Sequence, residues 1–124
     1  MKKVLIINGH PDKNSFCFGI SEAYRKGVVR SGNEVREIII RDLKFNSNLE
    51  FGYEKISELE PDLLDAQEKI KWADHIIWVH PVWWGGLPAI TKGFIDRNNF
   101  YSEFDCVSIM VSYRAKISDL DTCF

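Results

Sequence analysis

The 124-residue sequence predicts an α/β fold, a doubly wound parallel sheet in three layers, and three observations carry that prediction. Two short runs, Lys3 to Gly9 and Ile76 to Val79, are apolar on both faces, as strands buried between two helical layers must be. Each run stops at a short loop rich in glycine, proline or histidine, and each loop leads into a helical pattern. Between them, strand and helix signals alternate, the order that builds βαβ units with right-handed crossovers.

Taken in chain order, residues 3–9 (KVLIING) form the first strand. The loop from Gly9 to Asn14 follows, and a helix starts near Asn14 or Ser15, either of which is a good N-cap. Its inward face is expected to be Phe16, Ile20, Ala23 and Gly27 with Val28, at three- and four-residue spacing, and Gly32 closes it. Residues 34–40 (EVREIII) alternate and then become apolar, which suits a strand at or near an edge. From Asp42 to Glu60 no period is sustained, so an ordered connection with a turn or two of helix is expected. Pro61 opens the next helix, with Leu63, Ala66, Ile70 and Ala73 as its buried stripe and Asp62 complementing the dipole. That helix delivers the chain to HIIWVHPVWWGGLPAITKGFIDR, residues 75–97: a strand, a loop carrying Trp83, Trp84, Gly85 and Gly86, and a helix opened by Pro88.

Composition narrows the function classes. Hydrophobic residues make up 45% of the chain, enough for one core, and the net charge of −2 with interspersed signs leaves no basic stripe for nucleic acid. No apolar run approaches the length of a membrane span, and Val4 to Ile7 is too short for the apolar region of a secretory signal. Three cysteines without CxxC spacing point to neither a zinc site nor a disulfide framework, so a cytoplasmic protein is expected. His75 and His80 lie five residues apart with no carboxylate at ligand spacing, and no metal is expected.

The two loops carry the chemistry. Both sit at the carboxyl ends of strands, the edge where open α/β sheets bind ligands. Paired tryptophans followed by paired glycines present flat apolar faces beside approachable backbone N–H groups, one wall of a site for a planar cofactor. Exposing Trp83 and Trp84 costs free energy unless something covers them, whereas Trp78 and Trp72 read as packing. At the other loop, the start of the first helix offers free N–H groups and a positive dipole end to a phosphate, with the Ser15 hydroxyl and the His10 ring as further donors. Alone, Asn14 and Ser15 read more readily as plain caps and His10 as a loop histidine; the second loop reverses that preference.

GHPDKNSF after the first strand and HPVWWGGLPAITKGFIDR after the third resemble the flavodoxin-like NAD(P)H:quinone oxidoreductases, the group that includes quinone reductase, modulator of drug activity B and the ancillary flavoproteins of potassium-efflux systems. The resemblance covers residues 1–97 of a single domain spanning 1–124 and implies a flavodoxin-like fold. It implies a flavin, FAD with FMN as the alternative, whose pyrophosphate is held by His10, Asn14, Ser15, Phe16 and Cys17 and whose ring is lined by Pro81, Val82, Trp83, Trp84 and Gly85. Cys17 stands where many relatives carry a polar side chain, so its backbone is the part assigned to the phosphate and its thiol is read as packing. The implied activity is two-electron reduction of quinones by NADH or NADPH, ping-pong through the flavin, in a homodimer. The flavin carries the chemistry, so no catalytic side chain is assigned; Phe100 and Tyr101 are candidate pocket aromatics. Residues 98–124 depart from the family: Cys106 to Val111 reads as a fourth strand, but no third flavin loop follows, and the expectation is a C-terminally shortened or frame-altered member with an incompletely covered sheet edge. Two other readings stand beside the enzyme. One is a flavodoxin-type electron carrier, for which a charge of −2 gives little steering. The other is a truncated, non-catalytic flavoprotein or regulatory subunit of a potassium-efflux system.

Overall fold

A computed structural model describes residues 1–98, apart from Tyr53 and Ile56, together with residues 105–112. The elements run β1 (Lys3–Asn8), α1 (Phe16–Arg30), β2 (Glu34–Ile39), α2 (Pro61–Trp72), β3 (His75–Val82), α3 (Ala89–Asn98) and β4 (Asp105–Ser112), with a single 3-10 turn at Ile40–Asp42 after β2. Among the described residues the strands form one parallel sheet in the order β2-β1-β3-β4. The predicted doubly wound α/β architecture and its element order are what the chain adopts. Phe100, Tyr101 and most of the divergent tail lie outside the described residues.

The sheet divides the core in two because successive side chains of a strand point to opposite faces. Leu5 and Ile7 of β1 and Ile76 of β3 join Ile38, Ile40, Leu63, Ala66, Ile70 and Phe94 on the face covered by α2 and α3. Val4 and Ile6 join Ile77, Val79, Cys17 and Val28 on the face covered by α1. Each such aliphatic side chain contributes roughly 1.5–3 kcal/mol when removed from water, so the central strands β1 and β3 supply a large part of the stability. Trp78 packs against the first cluster with its ring edge-on to Phe94, the packing role its place in the strand implies.

The inward face of α1 corrects the sequence expectation. Phe16 is 73% exposed, and Ala23 and Gly27 face solvent; the residues turned to the sheet are Cys17, Ser21 and Val28, with Ile20 at the margin. The cause is a buried hydrogen bond: Asn8 Nδ2, at the end of β1, donates to Ser21 Oγ at 3.0 Å, which turns the helix by one residue relative to the apolar stripe.

At the β2 edge, Arg36 lies over the Trp72 ring at 4.3 Å, and Lys69 Nζ donates to the Glu37 carbonyl at 3.2 Å. A cation on an edge carbonyl hinders pairing with another chain. The connection between β2 and α2 is pinned to α3: Arg97, almost wholly buried, donates to the carbonyls of Asn46 and Glu58 and to both carboxylate oxygens of Glu60. Pro81 and Val82, expected in the loop, are the last residues of β3. Pro81 is tolerated because β1 has ended beside it, while β3 stays in register with β4 through Val82.

Candidate functional site

β1 and β3 are neighbours in the sheet, yet β1 continues to β2 on one side and β3 to β4 on the other. The crevice where connections diverge is the place an open sheet offers a ligand. Both loops identified in the sequence end there, and they touch: the His10 and Trp83 rings meet edge to face with centroids 5.4 Å apart and planes at 83°.

The loop after β1 is wound by short side chain to backbone bonds. Asn8 Oδ1 accepts the His10 amide at 3.0 Å, His10 Nδ1 accepts the Asp12 amide at 2.9 Å, and Asp12 Oδ1 accepts the Asn14 amide at 2.9 Å. Because Nδ1 is an acceptor, the neutral His10 ring carries its proton on Nε2. Burial lowers the His10 pKa below its ordinary value, against the opposing pull of the Asp12 carboxylate, so the ring stays neutral at pH 7.

Ser15 occupies the N-cap of α1 without capping it: its hydroxyl makes no bond to the helix, and Oγ is buried with no partner among the described residues. The Phe16 and Cys17 amides, at the first two helical positions, likewise have no bond among the described residues. An orphaned hydroxyl beside open helix amides fits an anionic oxygen. The Cys17 side chain is turned into the core and burial raises its pKa, which agrees with a packing role and leaves only its backbone facing the loop. Asn14 is exposed at the same turn, and so is the Phe16 ring.

After β3, Trp83 and Gly86 exchange both backbone hydrogen bonds, each at 3.0 Å, across a two-residue turn formed by Trp84 and Gly85. Both turn residues have positive φ, 53° and 74°. Such turns favour asparagine or glycine at both positions, and a tryptophan there is strained. Trp84 is also 90% exposed and Trp83 44%. A large aromatic held in an unfavourable backbone conformation and offered to solvent is the kind of group that a bound ligand would cover.

Sequence reasoning did not find the residues that hold the loops. Asn8 and Ser21 are buried polar groups, and Thr91, fully buried in the first turn of α3, donates its hydroxyl to the Gly9 carbonyl at 2.6 Å. A polar residue closing an apolar strand and a serine among inward helical positions were the available signals. His80 is buried with Nδ1 donating to the Pro81 carbonyl at 3.0 Å, whereas His75 lies at the opposite end of β3. Among the described residues no group of three His, Cys, Asp or Glu side chains could hold a metal, and no helix is long and apolar enough to cross a membrane. A separate groove of about 550 Å³ runs along α1, lined by Ile20, Ala23, Tyr24 and Val28 with Ser31 and Asn33 at one end; it includes none of the loop residues above.

Residues 2–103 match a family model described as flavodoxin-like fold. The chain is 32% identical over 117 residues to NAD(P)H dehydrogenase (quinone) 1 of Cavia porcellus, across 78% of this chain and 42% of that protein. It is 34% identical over 99 residues to an uncharacterized NAD(P)H oxidoreductase of Haemophilus influenzae, across 75% of this chain and 48% of that one. It therefore spans less than half the length of these curated relatives. Among solved structures, an NAD(P)H:quinone oxidoreductase from Methanothermobacter marburgensis superposes with a TM-score of 0.75 at 26% identity, covering 98% of this chain and 69% of that one.

Proposed function

The chain belongs to the flavodoxin-like fold family, and on that footing we propose that it binds a flavin across the rim shared by the β1 and β3 loops and uses it to reduce quinones with NAD(P)H. The contact between His10 and Trp83 carries this reading, because it joins a phosphate-type loop and an aromatic loop into one seat for a ligand with an anionic tail and a flat head. The names of the similar proteins, an NAD(P)H dehydrogenase (quinone) and an NAD(P)H:quinone oxidoreductase, support the same chemistry.

The residues present fit the cofactor. Ser15 Oγ, buried and unpartnered, and the open Phe16 and Cys17 amides would hold a phosphate, with Asn14 at the same turn. His10, neutral with its proton on Nε2, would donate a hydrogen bond without adding charge. Pro81, Val82, Trp83, Trp84 and Gly85 would face the ring and exclude water from one side of it. A flavin so held would supply ping-pong hydride transfer from a nicotinamide donor to a quinone acceptor. No side-chain acid or base enters this scheme; the chain binds, orients and tunes. FAD is the proposed cofactor, FMN the alternative, and a homodimer the proposed assembly.

The test is optical. Purified protein should be yellow, bleach with NADH or NADPH and recover its absorbance when a quinone is added. Bleaching only through a separate reductase would indicate an electron carrier, and a colourless protein that takes up neither FAD nor FMN would sink the proposal. Chromatography of the released flavin separates FAD from FMN, and sedimentation reads the assembly.

A further inference from the structure

Thr91 belongs to neither loop, yet it ties one to the other. Its hydroxyl donates to the Gly9 carbonyl at 2.6 Å across 82 residues of sequence, and the side chain is fully buried. The Gly9 amide is committed as well, donating to the Val79 carbonyl at 2.8 Å. Asn8, held by Ser21, then fixes the His10 amide. The first residues of the turn after β1 are thus clamped from α3 on one side and α1 on the other. Packing makes the clamp close: a Cβ at position 9 would lie 2.6 Å from Thr91 Oγ1 and 3.3 Å from His80 Cβ, so only glycine lets the turn approach α3.

The connection from the Trp84 turn to α3 is short, since Thr91 lies in the first turn of that helix. The Thr91 bond therefore sets the distance between the phosphate loop and the aromatic loop. We propose that Thr91 is a positioning residue for the flavin: its hydroxyl holds the Gly9 carbonyl so that His10 and Trp83 stand at the spacing the cofactor spans. This rests on the flavin reading of the site. A hydrogen bond inside the core with both partners dry is stiffer than a surface bond, and removing the hydroxyl leaves the Gly9 carbonyl without a partner of equal geometry.

Two substitutions separate the hydroxyl from the volume it fills. Thr91→Val keeps the shape and removes the donor; Thr91→Ser keeps the donor and removes a methyl. Titrating the full chain with FAD and FMN at a temperature where every variant is folded, Thr91→Val should weaken binding about tenfold and Thr91→Ser should stay within about twofold of the parent. A second readout needs no cofactor: the nuclear Overhauser contact between the His10 and Trp83 rings should persist in Thr91→Ser and be lost in Thr91→Val. Flavin affinity and ring contact both unchanged in Thr91→Val would overturn the proposal, and so would equal losses in the two variants, which would make the effect one of volume. If the parent chain binds no flavin while the ring contact follows the hydroxyl, the flavin reading fails and the clamp stands as a device for another ligand.

Discussion

The Arg97 guanidinium lies against the Glu60 carboxylate, Nη1 3.2 Å from Oε1 and Nη2 3.1 Å from Oε2, with the arginine side chain only 4% exposed. The same guanidinium satisfies the carbonyls of Asn46 and Glu58, so one side chain staples the whole connection between β2 and α2 to α3. Truncating Arg97 to alanine should cost about 3 kcal/mol in urea unfolding, because a carboxylate and two carbonyls lose their donor together. Arg97→Lys should recover only part of this, since an ammonium cannot reproduce the fork.

Acid should loosen the same staple. Burial pushes the Glu60 pKa up, but its own helix-start amide and the Arg97 guanidinium outweigh that, and the net position is below the ordinary glutamate range. A carboxyl whose pKa is depressed by folding stabilises the protein at neutral pH, and that stability is lost as pH falls through the ordinary and then the folded value. Melting temperatures measured from pH 7 to pH 3 should therefore fall less steeply for Glu60→Gln than for the parent, which starts higher. Equal slopes would show that Glu60 is not the linked group.

His10 gives a second titration. Its pKa should lie below that of an unhindered histidine when followed by ring proton shifts, because burial disfavours the cation. Asp12→Asn removes the carboxylate that opposes this while keeping the oxygen that accepts the Asn14 amide, so the His10 pKa should move further down. An upward movement would mean that the carboxylate does not act on the ring.

Two glycines should respond in opposite directions to alanine. A Cβ at Gly93 would run into the Ser47 carbonyl oxygen and lie 2.8 Å from Ser47 Cα, a backbone that cannot step aside, so Gly93→Ala should destabilise by about 2 kcal/mol or more. At Gly27, inside α1, nothing lies within 4 Å of the added methyl, and Gly27→Ala should stabilise by up to about 1 kcal/mol. Thermal unfolding of the pair reads both signs.

Trp84 should trade stability for binding. Replacing it with asparagine, which accepts positive φ readily, should raise the melting temperature by relieving about 1 kcal/mol of backbone strain, and should weaken flavin retention. A variant that gains stability and keeps full flavin affinity would show that the indole does not contact the cofactor. Replacing Trp72, paired with Arg36 away from the rim, should lower stability and spare the flavin.

The strands and helices are legible in the sequence because β1 and β3 are apolar on both faces and each helix has a punctuating serine, proline or glycine. The rotation of α1 is not legible. Phe16, Ile20, Ala23 and Gly27 make a consistent stripe, and the competing position of Ser21 is decided by Asn8, a residue of another element. The Trp84 turn hides for a similar reason: hairpin chemistry reserves its first position for asparagine or glycine, and Trp84 occupies it against local preference. Arg97 reads as an ordinary charged residue at a helix end, and only the fold shows it buried among carbonyls. The two loops could be assigned to one sheet edge from their places after strands; their mutual contact required the pairing of β1 with β3.

That pairing also imposes a schedule. β1 and β3 are adjacent in space while α1, β2, the long connection and α2 all lie between them in the chain. A nascent polypeptide emerging from the ribosome can form the first strand and helix early, but it has no partner for His10 until synthesis has passed Trp83, in the loop after β3. Closing so long a loop is a slow, late step. Cofactor capture thus reports completed assembly, and flavin added during refolding should leave the early phases unchanged while trapping the product of the last one.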